Sequence, residues 1–522
     1  MTTRTLAQAG LVVTTAFLVS RLLGWLRLIV ITATAPTATD LDAFFAAYRI
    51  PDLMFQLVAA GALGSALIPV VSGLLATAEE ERAWRLVSSI ANVMLLALLV
   101  LGLAFAIAAP VLVPAITPGF DAAATARTVE LTRVMLLSPI LLALGSVATS
   151  ALNATGRFGA SAVAPIVYNL AIIGAAVLLA PSMGVTGLAV GVVAGSLGHL
   201  LVQLGPLGRA GYRHRPIADL ADPDTRRTLR LLAPRALGLA VSQVTFLVAT
   251  TLASNLGTGA IAAFTVAFAL LQLPIGVIGV PLGIVLLPSL SRGAALDDRE
   301  EFLRLVTRSL RLLVFVMVPI AALGMVLGGE IVGLLFDYGA FGEAGAGLAA
   351  ETLVLFLIGL PAHASIAILA RAFYARQDTA TPVAAAVLAV AINSSLAVVL
   401  VGPLGLPGLA LAIAVAAWIE ALVLVGLLAR RVEGLELGGL LRTLLESTLA
   451  SVAAAVAATG ILGLVRPAAG PDPSKLVLLA EAVAGTAAGG LAFLAVALAL
   501  RIPELPSIVS VVVDLVRRRG RS

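Results

Sequence analysis

Residues 184–191 read GVTGLAVG, and residues 405–412, 221 positions later, read GLPGLALA. Each octet follows a short stretch without lysine or arginine and opens an apolar run. Such a run, at about 20 residues, crosses roughly 30 Å of hydrocarbon as a helix. The same offset pairs ALNATGRFG from 151 with AFYARQDTA from 372, and an offset of 219 pairs ALGSALIPVVSG from 62 with PLGIVLLPSLSR from 281. Three matches at nearly one offset predict two copies of a six-helix unit. Because six is even, both copies enter the membrane in the same direction, so the repeats are parallel.

Working outward from these pairs, pattern and breakers predict fourteen spans. The first seven lie near 8–36, 41–75, 84–115, 128–153, 159–180, 184–208 and 228–255. The second seven lie near 259–290, 303–328, 348–374, 380–401, 405–429, 440–465 and 475–500. Helices are the expected form, since open backbone polar groups are not tolerated in lipid. The fold class is therefore all-α and polytopic: two parallel six-helix lobes, 1–220 and 221–432, around a central cavity, followed by a helix pair and basic tail at 433–522. Gly187, Gly191 and Gly195 form two overlapping GxxxG steps and Gly279 with Gly283 another, a spacing suited to close helix packing. Pro51, Pro139, Pro165, Pro274, Pro281 and Pro361 fall inside spans, where they break or kink helices.

Composition agrees. Of 522 residues 60% are hydrophobic and 12% charged, which leaves no segment for a large soluble domain. The formal net charge is +5, and Lys475 is the sole lysine, so anion contacts fall to arginine, which binds phosphate and carboxylate bidentately. With no cysteine there is no disulfide framework, thiolate metal site or cysteine nucleophile. No GxxxxGK[ST] loop exists, no nucleophile, base and orienter group stands out, and His199, His214 and His363 are too scattered for a metal site or triad. The chain reads as a non-enzyme that needs no cofactor, and it offers no soluble basic face for nucleic acid.

Arginine sets orientation. It collects after even-numbered spans: Arg82 and Arg85; Arg157; the group from Arg209 to Arg230; Arg292, Arg299 and Arg304; Arg371 and Arg376; Arg430, Arg431 and Arg442. The intervening loops TATDLD, APSMG, NLGTG, GGEIVGLLFDYGAFGEAG and GPLGLPG carry none. Both termini are thus expected on the cytoplasmic side, with DLVRRRGRS as a topology anchor. Arg127 and RPAAGPDPSK before span 14 break the rule weakly. The N-terminus imitates a signal peptide, but its apolar segment reaches about residue 36 and contains Arg21 and Arg27, too long and too charged for a cleaved h-region.

Those two arginines pose the functional question. An arginine at mid-bilayer costs on the order of 3 kcal/mol on insertion scales, so it should face protein or water and have a role. Six residues of helix separate Arg21 from Arg27 by about 120°, so both face one cavity only if the helix breaks, which Gly24 between them permits. Arg49 in span 2 adds a third cation. Internal neutralisation is the competing reading, with Asp42 placed to pair Arg27 and Asp52 three residues from Arg49; Arg21 has no acid in its own helix. Glu420 in span 12 is the ion-coupling candidate, against a buried or snorkelling acid without that role.

SRLLGWLR at 20–27, TDLDAFFAAYRIPDLMFQLVAAGALGSALIPVVS from 39, PRALGLAVSQVTFLVATTLASNLGTGAIAAF from 234 and LLQLPIGVIGVPLGIVLLPSLSR from 270 together resemble the MviN/MurJ family of bacterial lipid II flippases. The resemblance implies a fold of the multidrug/oligosaccharidyl-lipid/polysaccharide exporter type, with the last two helices forming a lipid-tail groove. It implies movement of the undecaprenyl-pyrophosphate-linked peptidoglycan precursor from the inner to the outer leaflet by alternating access. A membrane potential or ion gradient would drive the movement, with cell-wall synthesis proteins as candidate partners. By motif position, Arg21, Arg27 and Asp42 match functional cavity residues of the family, and Arg49 stands where lysine is usual. The pattern departs at Leu28, Phe55, Gln56, Ala60 and Ala269, where the family carries charge, and Gln272 replaces an acid. The departures keep open a different polyprenyl-linked glycan as cargo, or a multidrug extruder of the same fold.

Overall fold

The structure is a computed structural model and describes residues 3–58, 62–432, 434–469 and 473–506. Among these residues the chain is helical without strands, and each of the fourteen expected spans is built from helix. The helices are α1 (Thr3–Thr34), α2 (Ala38–Ala47), α3 (Arg49–Val58), α4 (Ala62–Ala76), α5 (Glu80–Ile116), α6 (Ala122–Met135) and α7 (Leu137–Ala154). They continue with α8 (Phe158–Leu178), α9 (Ala180–Met183), α10 (Val185–Arg209), α11 (Pro223–Ala253), α12 (Ala260–Pro274), α13 (Val280–Ala295) and α14 (Arg299–Phe336). The last six are α15 (Gly342–Ile358), α16 (Leu360–Ala375), α17 (Ala380–Leu404), α18 (Leu406–Arg431), α19 (Leu437–Ala469) and α20 (Lys475–Ala499).

Among the described residues eleven helices are long and apolar enough to cross a membrane, and twelve if the bent pair α15 and α16 counts as one span. Spans 2 and 7 are not in that count; in span 2, α2 and α3 are ten residues each and meet at Tyr48. The basic tail and Ala60 lie outside the described residues.

Helices pack into two compact units. The first comprises Met1–Ala262 with Tyr338–Gly342. Its core is formed by Met54, Leu67, Trp84, Val87, Ile90, Leu98, Ile140 and Val147, projecting from α3, α4, α5 and α7. The glycine steps on α10 act as their spacing predicts. A Cβ on Gly191 would lie 2.4 Å from Ala175 Cβ, and one on Gly195 would lie 2.7 Å from the Tyr168 carbonyl oxygen, so α8 and α10 meet nearly backbone to backbone. Asp121 and Asp222 start α6 and α11 by accepting the backbone N–H of Ala124 at 2.7 Å and Thr225 at 2.8 Å.

The second unit comprises Ala263–Asp337 and Glu343–Ser522. Span 8 is interrupted by a π-helical turn, Ile275–Gly279, bracketed by Pro274 and Pro281. Span 10 bends by 48° at Gly359, just before Pro361, and a Cβ on Gly359 would lie 2.8 Å from Ala414 Cα. The terminal pair α19 and α20 packs on α14 through Gly485 and Gly489, with the Phe315 and Phe493 rings 5.2 Å apart. Arg466 pairs with Glu330, and Lys475 Nζ lies 2.7 Å from Asp337 Oδ2. Two of the three cations that break the arginine rhythm, Arg466 and Lys475, are therefore neutralised by acids at the end of α14.

The internal repeat is written in the backbone. Left-handed residues recur as Ala78 (φ 60°) and Asp297 (φ 53°), 219 positions apart, and as Gly156 (φ 73°) and Gln377 (φ 60°), 221 apart. Gly184 and Gly405, both at φ 60°, are also 221 apart, and Gly211 and Gly434, both at φ 98°, are 223 apart. At each of the three sequence matches the copies share a turn that a right-handed backbone cannot make. After Gly184 and Gly405 the next turn repeats as well. A Cβ on Gly187 would lie 2.9 Å from the Leu179 carbonyl oxygen, and one on Gly408 would lie 2.4 Å from that of Leu400.

Candidate functional site

The intramembrane cations lie in the first unit. Helix α1 is unbroken at Gly24, so the break that would have let Arg21 and Arg27 share one direction is absent and the two leave the helix about 120° apart. Arg21 folds back on its own helix, its Cζ 5.1 Å from the centroid of the Phe17 ring four residues earlier. Arg27 reaches α8, its Cζ 5.5 Å from the Tyr168 ring. Both are half-buried. Neither forms an ion pair among the described residues, so each guanidinium is held by an aromatic face and keeps its N–H edge available.

Tyr168 joins Arg27 to the third cation. Its hydroxyl lies 2.7 Å from that of Tyr48, the residue before Arg49. Arg49 Nε donates to Thr250 Oγ1 on α11 at 2.9 Å, and its Cζ lies 5.4 Å from the Phe246 ring. Asp52, one turn on, accepts from Gln243 Nε2 of α11 at 2.9 Å. A cavity of about 160 Å³ opens beside this network, with Tyr48, Asp52, Gln56 and Tyr168 as its polar wall. Phe55 and Gln56, two positions where family charge is missing, also line it. Arg27, Arg49, Tyr48 and Tyr168 are thus brought together, whereas Arg21 stands about 9 Å further along α1. The tyrosines and the α11 partners were not foreseen; the visible signal was two of the chain's five tyrosines inside apolar runs.

Asp42 is placed differently from the sequence reading. It does not pair with Arg27. Only 2% exposed, its carboxylate accepts the backbone N–H of Gly259 at 2.6 Å and of Ala262 at 2.8 Å, at the start of α12. Orphan donors and the positive end of the helix make this a favourable seat for an anion.

Two glycine contacts accompany that cap. A Cβ on Gly119, in the loop after span 3, would lie 2.1 Å from the Ser254 carbonyl oxygen at the end of span 7. A Cβ on Gly339, in the loop after span 9, would lie 2.0 Å from the Ala33 carbonyl oxygen at the end of span 1. Gly119 and Gly339 are 220 positions apart and Ala33 and Ser254 are 221 apart, so the two contacts are one contact made by both copies. Sequence reading missed both, because a glycine in a loop reads first as a turn.

In the second unit Glu420, on α18, is half-buried, and its titratable neighbour is Tyr374 of α16. Arg371, a turn before Tyr374, donates from Nη1 to the Ala367 carbonyl at 2.7 Å and fills the space over Gly283. Ala269 lies on α12, near the Phe264, Phe268 and Phe356 ring cluster.

Residues 34–469 match the family described as lipid II flippase MurJ. A probable lipid II flippase MurJ from Rhizobium tropici is 34% identical over 431 residues, covering 80% of this chain and 79% of that protein. The lipid II flippase MurJ of Burkholderia cenocepacia is 32% identical over 427 residues, covering 80% and 83%. The fold is similar to that of a solved lipid II flippase MurJ in an inward closed conformation, with a TM-score of 0.77 at 21% identity over 94% of this chain and 99% of that one. An inward-facing multidrug transporter of the MATE family is also similar, with a TM-score of 0.67 at 16% identity over 80% and 95%. With the family match spanning most of the chain and relatives above 30% identity, the chain belongs to the lipid II flippase MurJ family.

Proposed function

We propose that this chain moves lipid II, the undecaprenyl-pyrophosphate-linked peptidoglycan precursor, from the inner to the outer leaflet of the bacterial cytoplasmic membrane by alternating access. The observation that carries the reading is a pair of intramembrane guanidinium groups, Arg21 and Arg27, held by aromatic rings and left without carboxylate partners among the described residues. A pyrophosphate supplies the missing negative charge and matches the fork of donors. Arg49 joins them through Tyr48 and Tyr168. On this reading Asp42 and the two glycine contacts hold one end of the pathway together, and passage of a head group requires them to part.

Further parts of the reading rest on the sequence. The copies form lobes at 1–220 and 221–432, with 433–522 supplying the lipid-tail helices. Both termini face the cytoplasm, following the arginine rhythm. A membrane potential or ion gradient drives the cycle, and Glu420 is the residue assigned to coupling.

Complementation of a flippase-depleted bacterium tests the proposal. The unmodified chain restores growth, and Arg21→Ala and Arg27→Ala each abolish rescue at equal expression. Rescue that survives both substitutions removes the basis of the reading; drug resistance without rescue replaces it with extrusion.

A further inference from the structure

At the arginine-bearing ends of α13, α14, α16 and α18 the second unit contains a pocket of about 250 Å³. Arg299, Arg376, Arg430 and Arg431 line it, against the carboxylates of Asp297 and Asp298. Asp298 is occupied as a helix cap, accepting from Glu301 N at 3.0 Å, and Arg431 is paired with Asp378 just outside. Arg376 has its Cζ 5.9 Å from the Phe302 ring, and neither Arg376 nor Arg430 forms an ion pair among the described residues. Guanidinium planes stacked on rings present their donor edges to the pocket.

Orientation of the protein in the membrane explains basic loops in general, and both copies should then carry the same residues at the positions that line this pocket. They do not. At the repeat offset Arg299 corresponds to Glu80, Arg376 to Thr155 and Arg431 to Ala210, with Arg209 alone matching Arg430. In the first copy three loop arginines are paired locally: Arg82 with Glu79 and Asp224, Arg85 with Asp219, and Arg215 with Glu81. The shared backbone turn at Ala78 and Asp297 is thus followed by Glu79 and Glu80 in one copy and by Asp298 and Arg299 in the other.

We propose that the pocket of the second unit is a phosphate-binding site, filled by the phosphodiester of an anionic phospholipid or by free phosphate. Binding here is independent of which lipid the chain transports and of which way it faces, because detergent-solubilised protein exposes both ends.

The experiment follows thermal unfolding of the full chain in neutral detergent during titration with phosphatidylglycerol, phosphatidylcholine or inorganic phosphate. The unmodified chain is stabilised by phosphatidylglycerol and not by phosphatidylcholine, and Arg376→Gln with Arg430→Gln weakens that binding about tenfold or more. Both side chains are exposed and lack ion pairs, so the double variant folds. Stabilisation by inorganic phosphate as well identifies any phosphate as ligand; its absence identifies the lipid. Arg209→Gln with Arg213→Gln, in the first copy, leaves binding unchanged. Equal loss in both double variants, or no difference between the unmodified chain and Arg376→Gln with Arg430→Gln, overturns the site.

Discussion

Replacing Gly339 by alanine should force open the end of the molecule where spans 1 and 7 finish. The new Cβ would stand 2.0 Å from the Ala33 carbonyl oxygen and 2.8 Å from its carbon, both backbone atoms that cannot rotate aside. Overpacking of this kind costs about 1–3 kcal/mol. Gly339 also sits at φ 55°, where a side chain adds about 1–2 kcal/mol. Only the overpacking, about 1–3 kcal/mol, is relieved when the loop leaves Ala33. At about 1.4 kcal/mol per tenfold, the equilibrium shifts toward the parted state by about 5-fold to about 140-fold. The chain has no cysteine, so a single Ala35→Cys, at a position 5% exposed, reports opening through its labelling rate with an impermeant maleimide in nanodiscs. Gly342→Ala is the matched control: its φ is 50°, yet a Cβ there meets nothing within 4 Å. Labelling in Gly339→Ala should exceed both the unmodified background and Gly342→Ala. Equal rates in the two alanine variants would refute the view that the Ala33 contact holds this end together.

Asp42→Ala leaves the N–H groups of Gly259 and Ala262 without acceptors, at about 1–3 kcal/mol for each donor left buried. The measurement is a lowered thermal midpoint together with faster Ala35→Cys labelling, and Asp42→Asn should fall between. At the basic end, hydrogen bonds from Thr381, and then Arg431, hold the Asp378 carboxyl down at about 2 from an ordinary 3.8. A depressed folded pKa stabilises above the unfolded value, so this contribution is complete above about pH 4 and is lost as pH falls toward 2. Thr381→Val should shrink that acid-dependent loss in a pH series of denaturation midpoints.

The helices were legible because lipid imposes a length and a polarity on every span, and arginine marked alternate loops. The repeat was legible for a narrower reason. Two of its matched segments contain turns at Gly156 and Gly184 whose φ values recur at Gln377 and Gly405, the third is followed by a turn at Ala78 that recurs at Asp297, and such turns constrain sequence. The site was half legible. Insertion cost singled out Arg21, Arg27 and Arg49, and in the first unit Arg27 and Arg49 are joined through Tyr168 and Tyr48. The partner of Asp42 was not legible, because its ligands are backbone N–H groups 217 and 220 residues away, and a backbone donor has no letter in the sequence. Arg27, the partner expected from the sequence, was the wrong one for that reason. The break expected at Gly24 failed because a lone glycine lowers helix stability by about 1 kcal/mol without ending a helix packed on a neighbour, as α1 is on α8.

Duplication has constrained backbone and charge very differently in this chain. Left-handed turns, the interruptions of spans 4 and 10 at Leu136 and Gly359, and the contacts of Gly119 and Gly339 persist in both copies. Charge does not persist: the first copy holds Arg21, Arg27 and Arg49 and pairs Arg82, Arg85 and Arg215 with carboxylates, while the second holds Glu420 and a pocket lined by Arg299, Arg376, Arg430 and Arg431. The glycine contacts explain why the geometry resisted change. A loop of the first copy touches the last residues of span 7, and a loop of the second touches the last residues of span 1, so each copy supplies a surface against which the other is fitted. A side chain added to either glycine strains a contact made with the opposite copy. The charges face no such reciprocal demand, and could be redistributed until one copy carried the cations within the membrane and the other an anion pocket at its edge.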